Sequence, residues 1–265
     1  MLRGAGAAGV ISLTGCATAG AERPTLVATP PPTSFPPRFG RQVRAEGQAF
    51  DTAEPARELT TPEVDPHRSV IGFTQPAQIE VFSGPSESAD VTHVMDNPTT
   101  TGGQLVFLTI NSTRQWQQVL LPVRPNGSTG WVRTSDLALA EHFYRIQVDL
   151  ADFRMRVFEN GQPIFDTVVG VAANNTPTPG GLYYLTELLA PATPTTAYGA
   201  FAYGLSGYSE VFETFNGGPG QLGIHGTNDP DTLGTPVSAG CIRLHNEDIS
   251  RLVDFLPLGV PVSVA

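Results

Sequence analysis

Glycine and proline interrupt this chain too often for long helices to form. The 265 residues include 28 glycines and 24 prolines, and in a helix interior each costs about 1 and 3 kcal/mol respectively against alanine. Charged residues make up only 15%, against the ~25% usual in soluble domains. Coiled coils and helical bundles are therefore excluded, and short strands, tight turns and linkers are expected.

The formal charge is −10, and all 15 basic residues are arginine. Without lysine the chain has no P-loop, no Schiff-base nucleophile and no lysine general base. A net acidic chain also lacks the basic footprint that a nucleic acid selects. There are two cysteines, Cys16 and Cys241. Two thiols so far apart make neither a disulfide-stapled scaffold nor a cysteine-rich zinc site.

Residues 1–16 run from Arg3 through small and apolar residues to Cys16. This leader resembles a bacterial lipoprotein signal, with Leu13-Thr14-Gly15-Cys16 as the lipobox and Cys16 as the lipidated residue. The resemblance implies an extracytoplasmic protein, lipid-anchored to the cell membrane and facing the wall; the alternative is a chance Gly-Cys in an Ala/Gly-rich leader. No later apolar span reaches the ~20 residues of a membrane helix. Residues 17–70 carry nine prolines and few large apolar residues, which reads as a disordered, semi-rigid spacer. Five arginines against two glutamates give the first fifty residues +3 and leave −13 for the rest. Such a stalk could rest on anionic headgroups or wall polymer, or be a solvated linker.

Residues 75–139 alternate short apolar runs with turn residues: Ala77–Phe82, Leu105–Leu108, Trp116–Leu121, then Pro125-Asn126-Gly127-Ser128 before Gly130-Trp131-Val132. The pattern implies a small barrel or sandwich and resembles a bacterial SH3-like β-barrel. Trp116 and Trp131 either form an aromatic groove or fill the small core.

From Tyr144 the polarity alternates strictly. Tyr144, Ile146, Val148 and Leu150 share one face, while Arg145, Gln147 and Asp149 share the other. A half-buried strand follows, since no helix puts those residues on one side. Phe153, Met155 and Val157 continue the period, Glu159-Asn160-Gly161-Gln162 turns the chain, and Ile164–Val171 returns it. The Gly-, Ala- and aromatic-rich region 175–218 is expected to make a long excursion over one face of the sheet. Near the C-terminus, Ile249, Leu252, Val253 and Leu256 make one apolar helical face. Asn246 is the expected N-cap, and His245 is expected at the surface.

The chemistry gathers in Gly223-Ile224-His225-Gly226-Thr227 and in Ser238-Ala239-Gly240-Cys241-Ile242-Arg243. If Ile224 and Ile242 lie on neighbouring strands, the intervening loop brings imidazole and thiol together. An adjacent imidazole then serves as base or stabilises the thiolate. Glycines 226 and 240 leave the backbone bare, so that the Gly240 and Cys241 amides could face an oxyanion.

These segments, with Thr176-Pro177-Thr178-Pro179-Gly180-Gly181 upstream and Asp248 downstream, resemble the L,D-transpeptidase (YkuD) catalytic domain over residues 142–265. The resemblance implies a mainly β chain: a β-sandwich catalytic domain with one short C-terminal helix, beside the SH3-like barrel. It implies Cys241 as nucleophile, His225 as general base and later acid, and the Gly226 carbonyl as the group orienting the imidazole. Gly240, Ser238, Arg243, Thr227 and Tyr203 become candidate substrate or oxyanion contacts; for Arg243 a structural salt bridge is the alternative. No metal or other cofactor is expected. Many members of the family have histidine where this chain has Ala239, which puts acceptor binding in question.

The implied reaction is acyl transfer on peptidoglycan stem peptides, through a Cys241 thioester with release of terminal D-alanine, and carbapenem-type compounds are the expected inhibitors. Two alternatives keep the fold, namely an L,D-carboxypeptidase or D-amino-acid exchange enzyme and a catalytically degenerate wall-binding lipoprotein. Papain-like and NlpC-type peptidases place cysteine before histidine, the reverse of the order here. One free thiol in an oxidising compartment also has no partner with which to form a disulfide.

Overall fold

The computed structural model describes residues 27–28, 66–191, 195–215 and 218–265. Cys16, the rest of the leader and nearly all of the expected spacer lie outside the described residues. A two-residue strand, β1 (Val27–Ala28), pairs with the end of a long strand of the C-terminal half.

The first sheet is built from β2 (Ser69–Thr74), β3 (Gln78–Phe82), β4 (Val91–Asp96), β5 (Val106–Ser112), β6 (Trp116–Leu120), β7 (Thr129–Arg133) and β8 (Leu137–His142), in the order β4-β3-β7-β6-β5-β2-β8. It starts at Ser69 and ends at His142, so it is wider than the expected 75–139. The added strands β2 and β8 pair with each other along six residues. Ile79, Val81, Leu105, Phe107, Val119, Leu121 and Val132 form its core. Trp116 is buried and meets the Phe82 ring edge-on at 5.1 Å. Trp131 is half-buried and lies on the same face as Trp116, because Trp116 pairs with Arg133 and Trp131 stands two residues before Arg133 on the same strand. Both tryptophans stand on the face that also carries Phe82 and Arg133, and neither belongs to the core cluster of this sheet.

The second sheet contains β9 (Tyr144–Asp149), β10 (Arg154–Glu159), β11 (Gln162–Val168), β13 (Gly181–Ala190), β14 (Ala202–Tyr208), β15 (Gln221–His225), β17 (Ile242–Arg243) and β18 (Pro261–Val264), ordered β11-β10-β9-β18-β13-β14-β15-β17. Two short strands, β12 (Val171–Ala172) and β16 (Pro236–Ser238), pair in parallel beside it. Asn160 and Gly161 take positive φ in the β10–β11 turn, as an Asn-Gly hairpin requires. The long strand β13 joins the two halves of the sheet: residues 181–184 pair with β18, and 185–189 with β14. Ile146, Val148, Met155 and Val157 from one half share a core with Leu185, Leu205, Leu222 and Ile224 from the other, each burial being worth about 1.5–3 kcal/mol. The result is a mainly β architecture with a single α-helix, α1 (Asn246–Val253), among the described residues.

Two expectations are corrected here. Region 175–218 is not one excursion, because it supplies β13 and β14 from the middle of the sheet. The α1 N-cap is His245, without a side-chain cap bond, and Asn246 is the first helical residue. Ile249 and Leu252 are buried beneath the sheet as the apolar face required.

The two sheets share buried surface. Tyr184 of β13 is fully buried with Ile71, Val106, Leu108 and Leu120 of the first sheet, and its hydroxyl donates to the Val106 carbonyl at 3.1 Å. Gly259 lies so close to Ile71 that an added Cβ would come within 2.6 Å of it.

Candidate active site

Strand β15 ends at His225 and β17 begins one residue after Cys241. The strands run parallel, with Ile224 opposite Ile242 and His225 opposite Arg243, which is the adjacency the sequence spacing required. The Leu244 amide adds a bond to the His225 carbonyl at 2.8 Å. Gly223 lies beside the thiol, where a Cβ would stand at an ordinary 3.9 Å from Cys241 Sγ but a tight 3.0 Å from the Tyr203 carbonyl oxygen. Cys241 and His225 line one cavity, whose wall also includes Tyr198, Phe212, Phe215, Ser238, Ala239 and Arg243.

The His225 ring is held from two sides. Its Nδ1 lies 2.6 Å from the Gly226 carbonyl oxygen. A carbonyl can only accept, so Nδ1 carries the proton and Nε2 is left as the basic nitrogen. Tyr198 packs against the ring at 5.0 Å between centroids. Burial lowers the imidazole pKa to about 4, helped by the Arg243 cation and opposed by the Gly226 bond. Gly226 is itself wedged, because an added Cβ would stand 2.1 Å from Asn246 Oδ1. That oxygen accepts the Ala200 amide at 3.0 Å.

The Cys241 turn closes on itself. Ser238 Oγ donates to the Cys241 carbonyl at 2.5 Å and accepts the Gly240 amide at 3.2 Å. Thr178 Oγ1 donates to the Gly240 carbonyl at 2.8 Å. Gly240 has φ +134°, in the region where side chains are strained. Cys241 is a free thiol. Burial raises its pKa, while the Gly223 N–H and the Arg243 cation pull it down. With the imidazole pKa lowered and the thiol pKa raised, both groups are neutral at pH 7. This favours a base-assisted thiol over a resting thiolate–imidazolium pair.

Arg243 enters no ion pair among the described residues. Its buried Nε has no hydrogen-bond partner among them, although its backbone is tied to Gly170 at 2.8 and 2.9 Å. The cation is thus available to an anionic group entering the cavity.

Three expected contacts are corrected. The Gly240 amide is engaged by Ser238, so it does not face an oxyanion; Gly240 shapes the turn instead. Thr227 is buried outside the cavity, where its Oγ1 accepts the Asp229 amide. Tyr203 is a core residue whose hydroxyl donates to the Leu256 carbonyl at 3.0 Å. Tyr198, Phe212, Phe215, Thr178 and Asn246 were not singled out by sequence as site residues. Of these only Thr178 carried a signal, since it sits in the Thr-Pro-rich run. Among the described residues no cluster of three or more His, Cys, Asp or Glu is arranged to hold a metal ion.

Comparison with known proteins points to the same region. Residues 143–264 match the YkuD family, the L,D-transpeptidase catalytic domain. A Bacillus licheniformis protein named as the L,D-transpeptidase YkuD is 29% identical over 158 residues, covering 57% of this chain and 87% of that one. Its Bacillus subtilis namesake is 30% identical over 121 residues, covering 46% and 65%. Among solved structures, an Enterococcus faecium L,D-transpeptidase is similar at 23% identity and a TM-score of 0.35, over 46% of this chain and 49% of that one. The chain thus spans about half the length of that solved protein. The part of this chain that matches the YkuD L,D-transpeptidase catalytic domain, residues 143–264, is therefore the part that builds the cavity around Cys241 and His225.

Proposed function

We propose that the protein is a peptidoglycan L,D-transpeptidase with Cys241 as nucleophile and His225 as general base. The observation that carries this reading is a cavity holding both side chains, with His225 Nδ1 engaged by the Gly226 carbonyl so that Nε2 is the nitrogen able to take the thiol proton. As Cys241 Sγ attacks the amide between the third stem residue and terminal D-alanine, Nε2 accepts that proton. The Nδ1–H bond to Gly226 stabilises the imidazolium. Collapse of the tetrahedral intermediate breaks the C–N bond, and the imidazolium protonates the departing D-alanine amine. A thioester remains on Cys241. A side-chain amine of a second stem then attacks the thioester, giving its proton to Nε2, and the thiol leaves with that proton restored. The link formed joins third residues. Arg243, which lines the cavity and enters no ion pair among the described residues, holds a stem carboxylate through its guanidinium.

Ala239 puts only a methyl group on the cavity wall, so water competes with the acceptor amine at this site. Cys16 is proposed as the lipid anchor, on the strength of the lipobox alone. Incubation with disaccharide-tetrapeptides, followed by mass spectrometry, is expected to show D-alanine loss and cross-linked dimers. Loss without dimers would replace transpeptidation by hydrolysis, and no change would reject the enzymatic reading. Cys241→Ala is expected to abolish both products and the covalent adduct with a carbapenem.

A further inference from the structure

The aromatic wall of the cavity is fastened by the other sheet. Phe212 and Phe215, whose rings pack at 5.5 Å between centroids, stand between β14 and β15 on a segment that also gives Ser209 and Gly220 to the cavity. The neck of this segment closes through the Ser209 amide and the Gly220 carbonyl at 2.8 Å. From the turn between β6 and β7, Arg124 reaches across. Its Nη2 donates to the Ser209 and Phe212 carbonyls at 2.9 and 2.8 Å, and its Nη1 to the Pro219 carbonyl at 2.9 Å. Two residues on, Asn126 takes both backbone groups of Tyr208, accepting from its N–H and donating to its carbonyl at 2.8 Å each. Tyr208 returns a bond from its hydroxyl to the Pro122 carbonyl at 2.8 Å and carries the Arg124 guanidinium 4.7 Å above its ring. Gly220 is glycine because a Cβ would lie 2.3 Å from the Phe212 carbonyl and 3.3 Å from Arg124 Nη2.

We propose that Arg124 is a positioning residue for the candidate active site: by tying three carbonyls of the 209–219 segment, it holds the Phe212–Phe215 wall against which the substrate's acyl-donor peptide lies. The first sheet is on this view a working part of the cavity, not only an appended module. A planar fork with several separately directed N–H groups is what three divergent carbonyls need, and a lysine ammonium does not reproduce it. The peptide occupant rests on the function proposed above; the wall geometry does not.

The test uses the full chain carrying Arg124→Met, with Asn126→Ala as a second route to the same segment. Alkylation of Cys241 is measured with iodoacetamide, which is too small to need the wall, and with N-phenylmaleimide, whose ring packs on it. The phenylmaleimide-to-iodoacetamide rate ratio is expected to fall about fivefold or more in both variants, while the iodoacetamide rate stays within about twofold. Arg124→Lys is expected to behave like Arg124→Met, and its full rescue would overturn the three-carbonyl argument. Thr101→Ala breaks a different contact between the sheets, the 2.5 Å bond to Glu187, and should leave the ratio unchanged. An equal fall in that variant would reduce Arg124 to general interface packing and overturn the proposal, as would an unchanged ratio in the first two. With a tetrapeptide donor, KM should rise while kcat changes little. A wild-type protein that releases no D-alanine rejects the proposed function and leaves the maleimide ratio to decide this one.

Discussion

Gly226→Ala probes the link between the fold and the His225 ring. The backbone at Gly226 is not in the positive-φ region, so alanine meets no conformational strain there, only atoms. The added Cβ would stand 2.1 Å from Asn246 Oδ1, 3.1 Å from the Ala200 nitrogen and 3.2 Å from Gly199 Cα. The first contact is prohibitive and must be relieved by moving Asn246, which breaks its bond to the Ala200 amide. Overpacking of this kind costs about 1–3 kcal/mol, and the lost bond adds about 1 kcal/mol. Asn246→Ala alone should cost about 1 kcal/mol for the same bond. In the double variant the 2.1 Å contact is gone and the bond is lost only once, so its cost should fall short of the sum of the single costs by about 1 kcal/mol for the bond plus up to about 1–3 kcal/mol for the relieved overpacking. Urea unfolding of the four proteins at pH 7.5 measures this coupling. Costs that add within about 0.5 kcal/mol would refute the reasoning. The iodoacetamide rate at Cys241 gives the functional counterpart: it should drop in Gly226→Ala, where the carbonyl holding Nδ1 shifts, and partly recover in the double variant.

Three further outcomes are expected. His142 and His225 are both buried with pKa lowered to about 4 from the ordinary 6.5, so between those values the unfolded chain binds more protons than the folded one. Stability is therefore complete above about pH 6.5 and falls as pH drops toward about 4, by on the order of 3 kcal/mol per imidazole. Urea unfolding at pH 7.5 and 5 should show this loss, with a smaller loss in His142→Gln, and a pH-independent midpoint would contradict it. Arg243→Gln removes the cation that lowers both site pKa values; both should rise, so iodoacetamide alkylation near pH 8 should slow severalfold while the imidazole titrates higher by NMR, and movement of the two pKa values in opposite directions would be inconsistent with a shared cationic cause. Thr178→Val leaves the buried Gly240 carbonyl without its 2.8 Å donor, which should cost about 1–3 kcal/mol in thermal or urea unfolding; a cost below about 0.5 kcal/mol would mean that the Cys241 turn does not depend on this bond.

Strands with one wet face were legible residue by residue. In β9, Tyr144, Ile146 and Val148 alternate with Arg145, Gln147 and Asp149, and burial follows that alternation. By contrast, β14 was missed because its first six residues, Ala202–Gly207, are all buried. With both faces covered there is no polar partner to mark the period, and its two glycines read as turn formers. The same blindness hid β13, whose Tyr184 is buried against the first sheet. Tyr203 was misplaced for the related reason that an aromatic near a catalytic strand reads alike whether it faces the cavity or the core.

What the amino-acid order determined by itself is local: the two cysteines, the His225 and Cys241 segments, their separation, and strands marked by alternating polarity. Short-range preferences and side-chain chemistry are enough to write these. Only the tertiary structure decided which groups are spent and which remain open. Ser238 takes the Gly240 amide, the Gly226 carbonyl takes the His225 Nδ1–H, Asn246 wedges the backbone beneath that histidine, and Arg124 arrives from 85 residues before Ser209 to fix the cavity wall. A hydrogen bond or a burial pairs atoms by their position in space, and residues far apart in the chain acquire that position only when the sheets close.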